Sequence, residues 1–96
     1  MYARQFKFKA KPGVRPDVEA LADQMFAYIK TLKGFVSAHF LSSEQDNEFG
    51  TFSLWESKED AVSAGELLLE KSSEGLRPLV AEPPTHKIFE VYKPRA

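Results

Sequence analysis

The sequence contains no cysteine, which excludes disulfide bonds, thiolate metal sites and a cysteine nucleophile. An excess of charge is also lacking, because 13 Lys and Arg oppose 14 Asp and Glu for a net charge of −1. Nucleic-acid and membrane-surface binders usually carry a basic excess, so we expect neither partner. No apolar run approaches the ~20 residues of a membrane span, and the first residues, MYARQFKFKA, lack the apolar core of a signal peptide. The sequence therefore predicts a soluble, cytoplasmic protein.

Apolar residues are abundant enough to build one core. Of the 96 residues, 43% are hydrophobic and 12% are aromatic, including eight Phe. This composition excludes a disordered chain, and the length fits a single domain over residues 1–96. A domain of this size removes somewhat over ~60% of the unfolded chain's surface from water, so the core is expected to be thin.

Hydrophobic periodicity and turn signals divide the chain into six elements. Alternation with a period of two predicts strands, and spacing of i, i+3, i+4, i+7 predicts an amphipathic helix. In chain order the sequence predicts a strand at Tyr2–Lys9, a helix at Pro16–Lys33, strands at Phe35–Leu41 and Phe49–Glu56, a helix opening after Ser57, and a strand at Thr85–Lys93.

The order β-α-β-β-α-β predicts a ferredoxin-like α+β fold. Right-handed crossovers give a four-stranded antiparallel sheet of order 4-1-3-2 with both helices on one face. The strand at Phe35–Leu41 is apolar on both parities, so the face without helices keeps a hydrophobic patch. A second copy of the chain is the simplest cover for that patch, and we expect a homodimer.

The same element order also builds the RNA-recognition motif, whose third strand carries aromatic residues that stack on bases. The segment NEFGTFSL, Asn47–Leu54, contains the Phe-Gly pair of that signature. Asn47, however, stands where a basic residue is required, and Thr51 stands at the second stacking position. Together with the balanced charge, these departures disfavour RNA binding.

Two segments resemble the antibiotic biosynthesis monooxygenase family of dimeric α+β barrels. FKAKPGVRPDVEAL, Phe8–Leu21, has the strand, the K-P-G turn and the start of a long first helix. FSLWESKEDA, Phe52–Ala61, has a tryptophan at the end of the third strand before an acidic helix start. The resemblance implies a homodimer of facing sheets with a ligand pocket between each sheet and its helices. Family members include cofactor-independent oxygenases of polycyclic phenols and quinols, haem-degrading enzymes, and domains without known activity.

The haem-degrading branch of the family requires an Asn on the first strand and a His on the second helix. Alignment on Gly13 places Phe6 at the Asn position, and counting from Trp55 places Gly65 at the His position. Neither replacement can supply the missing chemistry, so haem degradation is disfavoured. Trp55 itself matches the family's pocket tryptophan.

Arg4 and His39 are the candidate catalytic residues. The resemblance implies an oxygenase that holds a phenolate with polar groups while oxygen attacks the substrate carbanion. Arg4 shares its parity with Phe6, and its charge could stabilise such an anion. The alternatives for Arg4 are an ion pair with Glu90 or an exposed position at a frayed strand start. The two histidines, His39 and His86, lie on opposite edge strands and cannot meet within one subunit, and His39 is the better candidate base. An ordinary hydrogen-bonded role remains open for both histidines.

The candidate ligand-binding residues are Trp55, Phe6 and Tyr92, although Trp55 and Tyr92 also suit core and interface packing. No third residue has suitable spacing to complete a metal site with the histidines, so no metal is expected. The leading hypothesis is a monooxygenase that acts without metal, flavin or other cofactor on a small aromatic or quinol-like substrate. The alternative is a non-catalytic ligand-binding or structural dimer whose pocket is filled by side chains.

Overall fold

The computed structural model describes residues 1–95. Its elements, in chain order, are β1 (Tyr2–Lys9), α1 (Arg15–Ile29), β2 (Phe35–Ser43), β3 (Glu48–Trp55), α2 (Lys58–Leu76) and β4 (Thr85–Glu90). All neighbouring strands pair antiparallel, in the order β2-β3-β1-β4. This arrangement confirms the ferredoxin-like fold and the strand order expected from the sequence.

Helix α1 begins one residue earlier and ends four residues earlier than the periodicity predicts. Pro16 lies in the first turn, where its missing N–H costs no hydrogen bond. The helix ends at Ile29, and the Thr31 hydroxyl then donates to the Tyr28 carbonyl over 2.6 Å. The prediction that the helix extends to Lys33 is therefore wrong. Leu32 still packs against the core from the following turn, which explains why the apolar pattern continues past the helix.

Helix α2 starts as the sequence predicts. Ser57 is the N-cap, and its Oγ accepts a hydrogen bond of 3.1 Å from the Asp60 backbone N–H. The helix continues through Gly75 to Leu76. Strand β4 ends at Glu90, three residues before the predicted Lys93, so residues 91–95 lie beyond the sheet.

A β-bulge in β2 changes which side chains face the helices. Phe35 pairs with Trp55 and Ser37 pairs with Leu54, so Val36 is an extra residue without a partner. Phe35 therefore packs on the helix side of the sheet, whereas His39, three pairs further along, lies beside Phe52 on the opposite side. The bulge explains why both parities of this strand are apolar.

Both helices pack on one face of the sheet, and the buried residues there form two separate clusters. The first centres on Phe8, Phe49 and Leu76. The second centres on Trp55 and Leu68. We call the other face, to which Gln5, His39, Phe52, Leu54 and Phe89 belong, the outer face.

Candidate functional site

A cavity of about 680 Å³ lies between the sheet and the two helices. Its walls include Phe8 and Leu76 from the first cluster and Ile29 and Leu68 from the second, so it separates the two parts of the core. Sites for small organic ligands are typically apolar cavities of about 300–1,000 Å³ with a few polar groups. Native interiors contain few voids larger than a water molecule. The cavity is therefore the candidate functional site.

Arg4 supplies the cavity with a buried cation. Strand β1 directs the side chain toward the helices, where only 4% of the residue is exposed. Its guanidinium carbon lies 5.5 Å from the centre of the Phe6 ring, and its Nη2 is buried without a hydrogen-bond partner among the described residues. Burial lowers the pKa of Arg4 from its ordinary value, because a low-dielectric environment disfavours the charged form. Arg4 is thus neither at a frayed, exposed strand start nor one of the ion pairs found in residues 1–95.

Gly65 makes the position of Arg4 possible. A Cβ atom at Gly65 would lie 2.7 Å from Arg4 Nε, closer than real Cβ contacts allow. The space beside Gly65 is occupied by the arginine side chain from the neighbouring strand. Phe6 also lines the cavity. This wall of the cavity therefore combines an aromatic ring with a guanidinium.

Trp55 lies in the core beside the site. It is fully buried, and its Nε1 donates to Ser53 Oγ over 2.9 Å. Ser53 Oγ in turn donates to the Arg4 carbonyl over 3.4 Å. Trp55 packs at 5.8 Å, edge to face, on Phe35. The tryptophan therefore fixes the strand pair that carries Arg4, and it is not among the described residues that line the cavity.

The remaining predicted site residues lie outside the cavity. His39 is exposed on the outer face, and Tyr92 is 77% exposed beyond the end of β4. His86 is exposed on β4, opposite Phe6 of β1. The structure thus brings Arg4 and Phe6 together, and within one chain it separates them from His39 and Tyr92.

The mouth of the cavity lies along the seam between α1 and β2. Arg15 donates from Nε to Glu19 over 3.1 Å and from Nη2 to Ser42 Oγ over 3.4 Å, which links the start of α1 to the β2–β3 hairpin. Further along the seam, Phe26 of α1 and Phe40 of β2 meet edge to face at 6.2 Å. Each of these five residues borders the cavity.

Sequence reasoning missed the hydroxyl groups of the cavity wall. Thr51 of β3 and Ser72 of α2 both line the cavity. Ser72 is also buried, and it interrupts the apolar face of α2. That interruption reduces the helical periodicity, and it was the available signal that this face borders something other than core.

The described residues contain no group of three or more His, Asp or Glu side chains placed to hold a metal ion. Neither helix within residues 1–95 is both long and apolar enough to cross a membrane.

The model of one protein family, described as antibiotic biosynthesis monooxygenase, matches residues 1–64. The chain belongs to this family. The match includes β1, which carries Arg4, and α2 up to the residue before Gly65. No curated protein sequence matches this monooxygenase-family chain.

Solved structures show the same fold over nearly the whole chain. Rv0793 from Mycobacterium tuberculosis is 18% identical with a TM-score of 0.80, covering 99% of this chain and 98% of its own. NE2512, a protein of unknown function from Nitrosomonas europaea, is 14% identical with a TM-score of 0.84, and the match covers 99% of this chain and 92% of NE2512. SnoaB, a cofactor-independent oxygenase from Streptomyces nogalater, is 19% identical with a TM-score of 0.76, and the match covers 97% of this chain and 94% of SnoaB. At these identities the likeness establishes the fold.

Proposed function

We propose that this protein is a monooxygenase that acts without metal or flavin on a small aromatic or quinol-like substrate bound in the cavity. The observation that carries the proposal is the buried guanidinium of Arg4, with Nη2 unpaired among the described residues, in a mainly apolar cavity of about 680 Å³. Membership of the monooxygenase family and the similarity of fold to a cofactor-independent oxygenase support it.

The chemistry follows from the charge of Arg4. A phenol or enol that has lost its proton spreads negative charge from oxygen onto a ring carbon. Arg4 stabilises the oxygen end, while the carbon donates an electron to O₂ and the two radicals combine into a peroxide. Cleavage of the O–O bond then releases water and leaves a carbonyl group. In balance, a CH₂ group and O₂ become C=O and H₂O, so the substrate supplies every electron.

Oxygen consumption with anthrones and naphthohydroquinones tests this proposal. We expect consumption above the spontaneous rate, with one oxygen atom from ¹⁸O₂ in the product, and a loss of at least about tenfold in kcat/KM for Arg4→Met. The matched control is Arg77→Met, because Arg77 is exposed just beyond α2. Oxidation no faster than in buffer, or equal loss in both variants, would refute the proposal.

A second candidate is non-catalytic binding of a small ligand in the same cavity. The observation in its favour is that the acidic residues among the described lining, Glu19 and Asp23, are both exposed at the mouth, so no carboxylate lies beside Arg4 to act as a base. Saturable binding of the same compounds without oxygen consumption would identify this function. The alternative of a structural dimer whose pocket is filled by side chains is not favoured, because the side chains leave a cavity of about 680 Å³.

A further inference from the structure

The charge of Arg4 is not neutralised within its surroundings. Its neighbours across the sheet are Ser53 on β3 and Ile88 on β4, and neither carries charge. Glu90, two residues beyond Ile88, pairs with Tyr2 instead. The ion pairs found in the described part of the chain both belong to Arg15, at the cavity mouth. The positive charge of Arg4 therefore faces the cavity with no counter-charge from its neighbouring strands.

Such an arrangement is costly in the empty protein. A buried charge is normally paired and hydrogen-bonded, and a buried donor without a partner loses its interactions with water. An anion placed in the cavity would restore both the hydrogen bond of Nη2 and the charge balance. The unpaired Nη2 of Arg4 is thus a binding group for an anionic oxygen.

Neighbouring residues position the guanidinium of Arg4. Any side chain at position 65 would contact Arg4 Nε, so the glycine is required for the guanidinium to lie where it does. The Phe6 ring packs beside the guanidinium. The Ser53 hydroxyl, which accepts from Trp55, donates to the backbone carbonyl of Arg4. These contacts restrict the space in which the guanidinium can lie.

The protonation state of the ligand follows from the same contacts. The inner wall offers the hydroxyl groups of Thr51 and Ser72, which cannot accept a proton from an acid at neutral pH. Glu19 is engaged by Arg15 at the mouth, and Asp23 is exposed on α1. A neutral acid that reached Arg4 would find no base beside it, whereas an acid already ionised in water would need none.

We propose that the cavity selects aromatic acids in their ionised form, such as acidic phenols, enols or arenecarboxylates, with the anionic oxygen bound by Arg4. Arg4 is the specificity-determining residue, and Gly65 is the positioning residue that leaves room for it. The inference rests on the proposed function for the location of the site, and it adds the charge and acidity of the substrate. It concerns binding, so it is tested without turnover.

Two fluorescent probes of nearly the same shape test this selection. 8-Anilino-1-naphthalenesulfonate is an aromatic anion, and N-phenyl-1-naphthylamine is the same skeleton without the sulfonate. We expect Arg4→Met to weaken binding of the anion by at least about tenfold, the value of one charge-assisted hydrogen bond, and to leave the neutral probe's affinity unchanged or tighter. Arg77→Met, the control, should change neither. Equal affinities of the two proteins for the anion would overturn the proposal.

Two further variants guard against binding elsewhere and against misfolding. Ala22→Phe places a ring into the cavity from α1, where Ala22 is half-buried, and should weaken both probes. If it weakens neither, the probes bind at another surface and the proposal fails. Gly65→Ala displaces the guanidinium and should weaken the anion alone, with an unchanged circular dichroism spectrum as the check on folding. If it weakens the neutral probe as much as the anion, Gly65 does not position Arg4.

The outcomes separate this inference from the proposed function. Arg4-dependent preference for the anion, without any oxygen consumption, would refute the oxygenase and keep the inference. Oxygen consumption that falls in Arg4→Met, together with equal affinities of the parent protein and Arg4→Met for the anionic probe, would refute the inference and keep the oxygenase.

Discussion

A chain of two hydrogen bonds links the only tryptophan to the backbone that carries the cavity's cation. Trp55 is fully buried, and its indole N–H would have no partner without the Ser53 hydroxyl. The same hydroxyl reaches the Arg4 carbonyl on the neighbouring strand. Trp55 and Ser53 thereby affect both the stability of the sheet and the position of Arg4.

Removal of the Ser53 hydroxyl should destabilise the protein more than its small volume suggests. In Ser53→Ala the Trp55 indole N–H is left buried and unpaired, which costs about 1–3 kcal/mol. The double variant Ser53→Ala/Trp55→Phe removes both partners, so its loss should be smaller than the sum of the two single losses. Urea unfolding followed by circular dichroism measures all three, with the exposed Ser63→Ala as the control. Strictly additive losses would show that the hydrogen bond contributes nothing.

Replacement of Arg4 by an apolar side chain should stabilise the empty protein. Arg4→Met removes a buried charge without a partner, and we expect the free energy of unfolding to rise by about 1 kcal/mol or more. Because burial lowers the pKa of Arg4 in the folded state, the unfolded chain holds this proton more tightly than the folded protein. The cost is thus fully present at neutral pH and is relieved only as the pH rises through the lowered, folded-state pKa. A clear decrease in stability at neutral pH would mean that Arg4 has a counter-charge inside the fold.

At the scale of the elements, the turn after α1 and the start of α2 are packed against each other. Gly34 has φ of +82°, in the left-handed region that favours glycine, and its Cα lies directly against the Asp60 side chain in the first turn of α2. The Glu56 N–H donates to the Gly34 carbonyl over 2.9 Å. The two helices are therefore joined at this end of the sheet through one glycine.

Gly34→Ala should be more destabilising than Gly13→Ala. Both glycines have positive φ, +82° and +78°, so both substitutions carry the strain of about 1 kcal/mol of the left-handed conformation. Only at Gly34 would the added methyl group overlap another side chain, because nothing lies within 4 Å of a Cβ at Gly13. The difference between the two urea midpoints measures the contact with Asp60. Equal midpoints would show that Asp60 moves aside freely.

The order of the elements was predictable from the sequence, whereas the faces and the cavity were not. Periods of 2 and 3.6 and the Ser57 cap located every strand and helix to within a few residues. A pattern of parity cannot reveal a bulge, and the extra residue at Val36 decides that Phe35 and His39 face opposite sides. Similarly, apolar residues in a helix pattern predict burial, but they do not show that the core divides around an empty volume. Arg4 was recognised because a charge on an apolar parity is visible in the sequence itself.

At the scale of the whole molecule, no helix within residues 1–95 covers the outer face of the sheet. Phe89 is 41% exposed, and Phe52 lies between His39 and Gln5 in the middle of the face. Exposed apolar surface on a sheet commonly marks an interface. The homodimer expected from the sequence would bury this face, and it would then also enclose His39.

If the expected homodimer forms through the outer face, Phe52→Glu should give a monomer while leaving the cavity intact. The substitution places a charge in the centre of the expected interface, where an unpaired charge is costly to bury. Val62→Glu makes a similar change on the exposed side of α2, where Val62 is 40% exposed, and should leave the dimer unchanged. Sedimentation equilibrium measures the mass of both. A parent protein of monomer mass, or a dimeric Phe52→Glu variant, would rule out this face as the interface.

The division of the core into two clusters has a consequence for slow amide hydrogen exchange. Helix α1 packs chiefly on α2 and touches the sheet mainly along β2, because the cavity lies beneath it. Its amides should therefore exchange through local opening well before those of β1 and β3, which are paired on both sides. A ligand in the cavity would contact both clusters at once, and it would therefore suppress this local opening of α1. Increased protection of α1, with little change in β1 and β3, would then record occupancy of the cavity even by a ligand that has no optical signal.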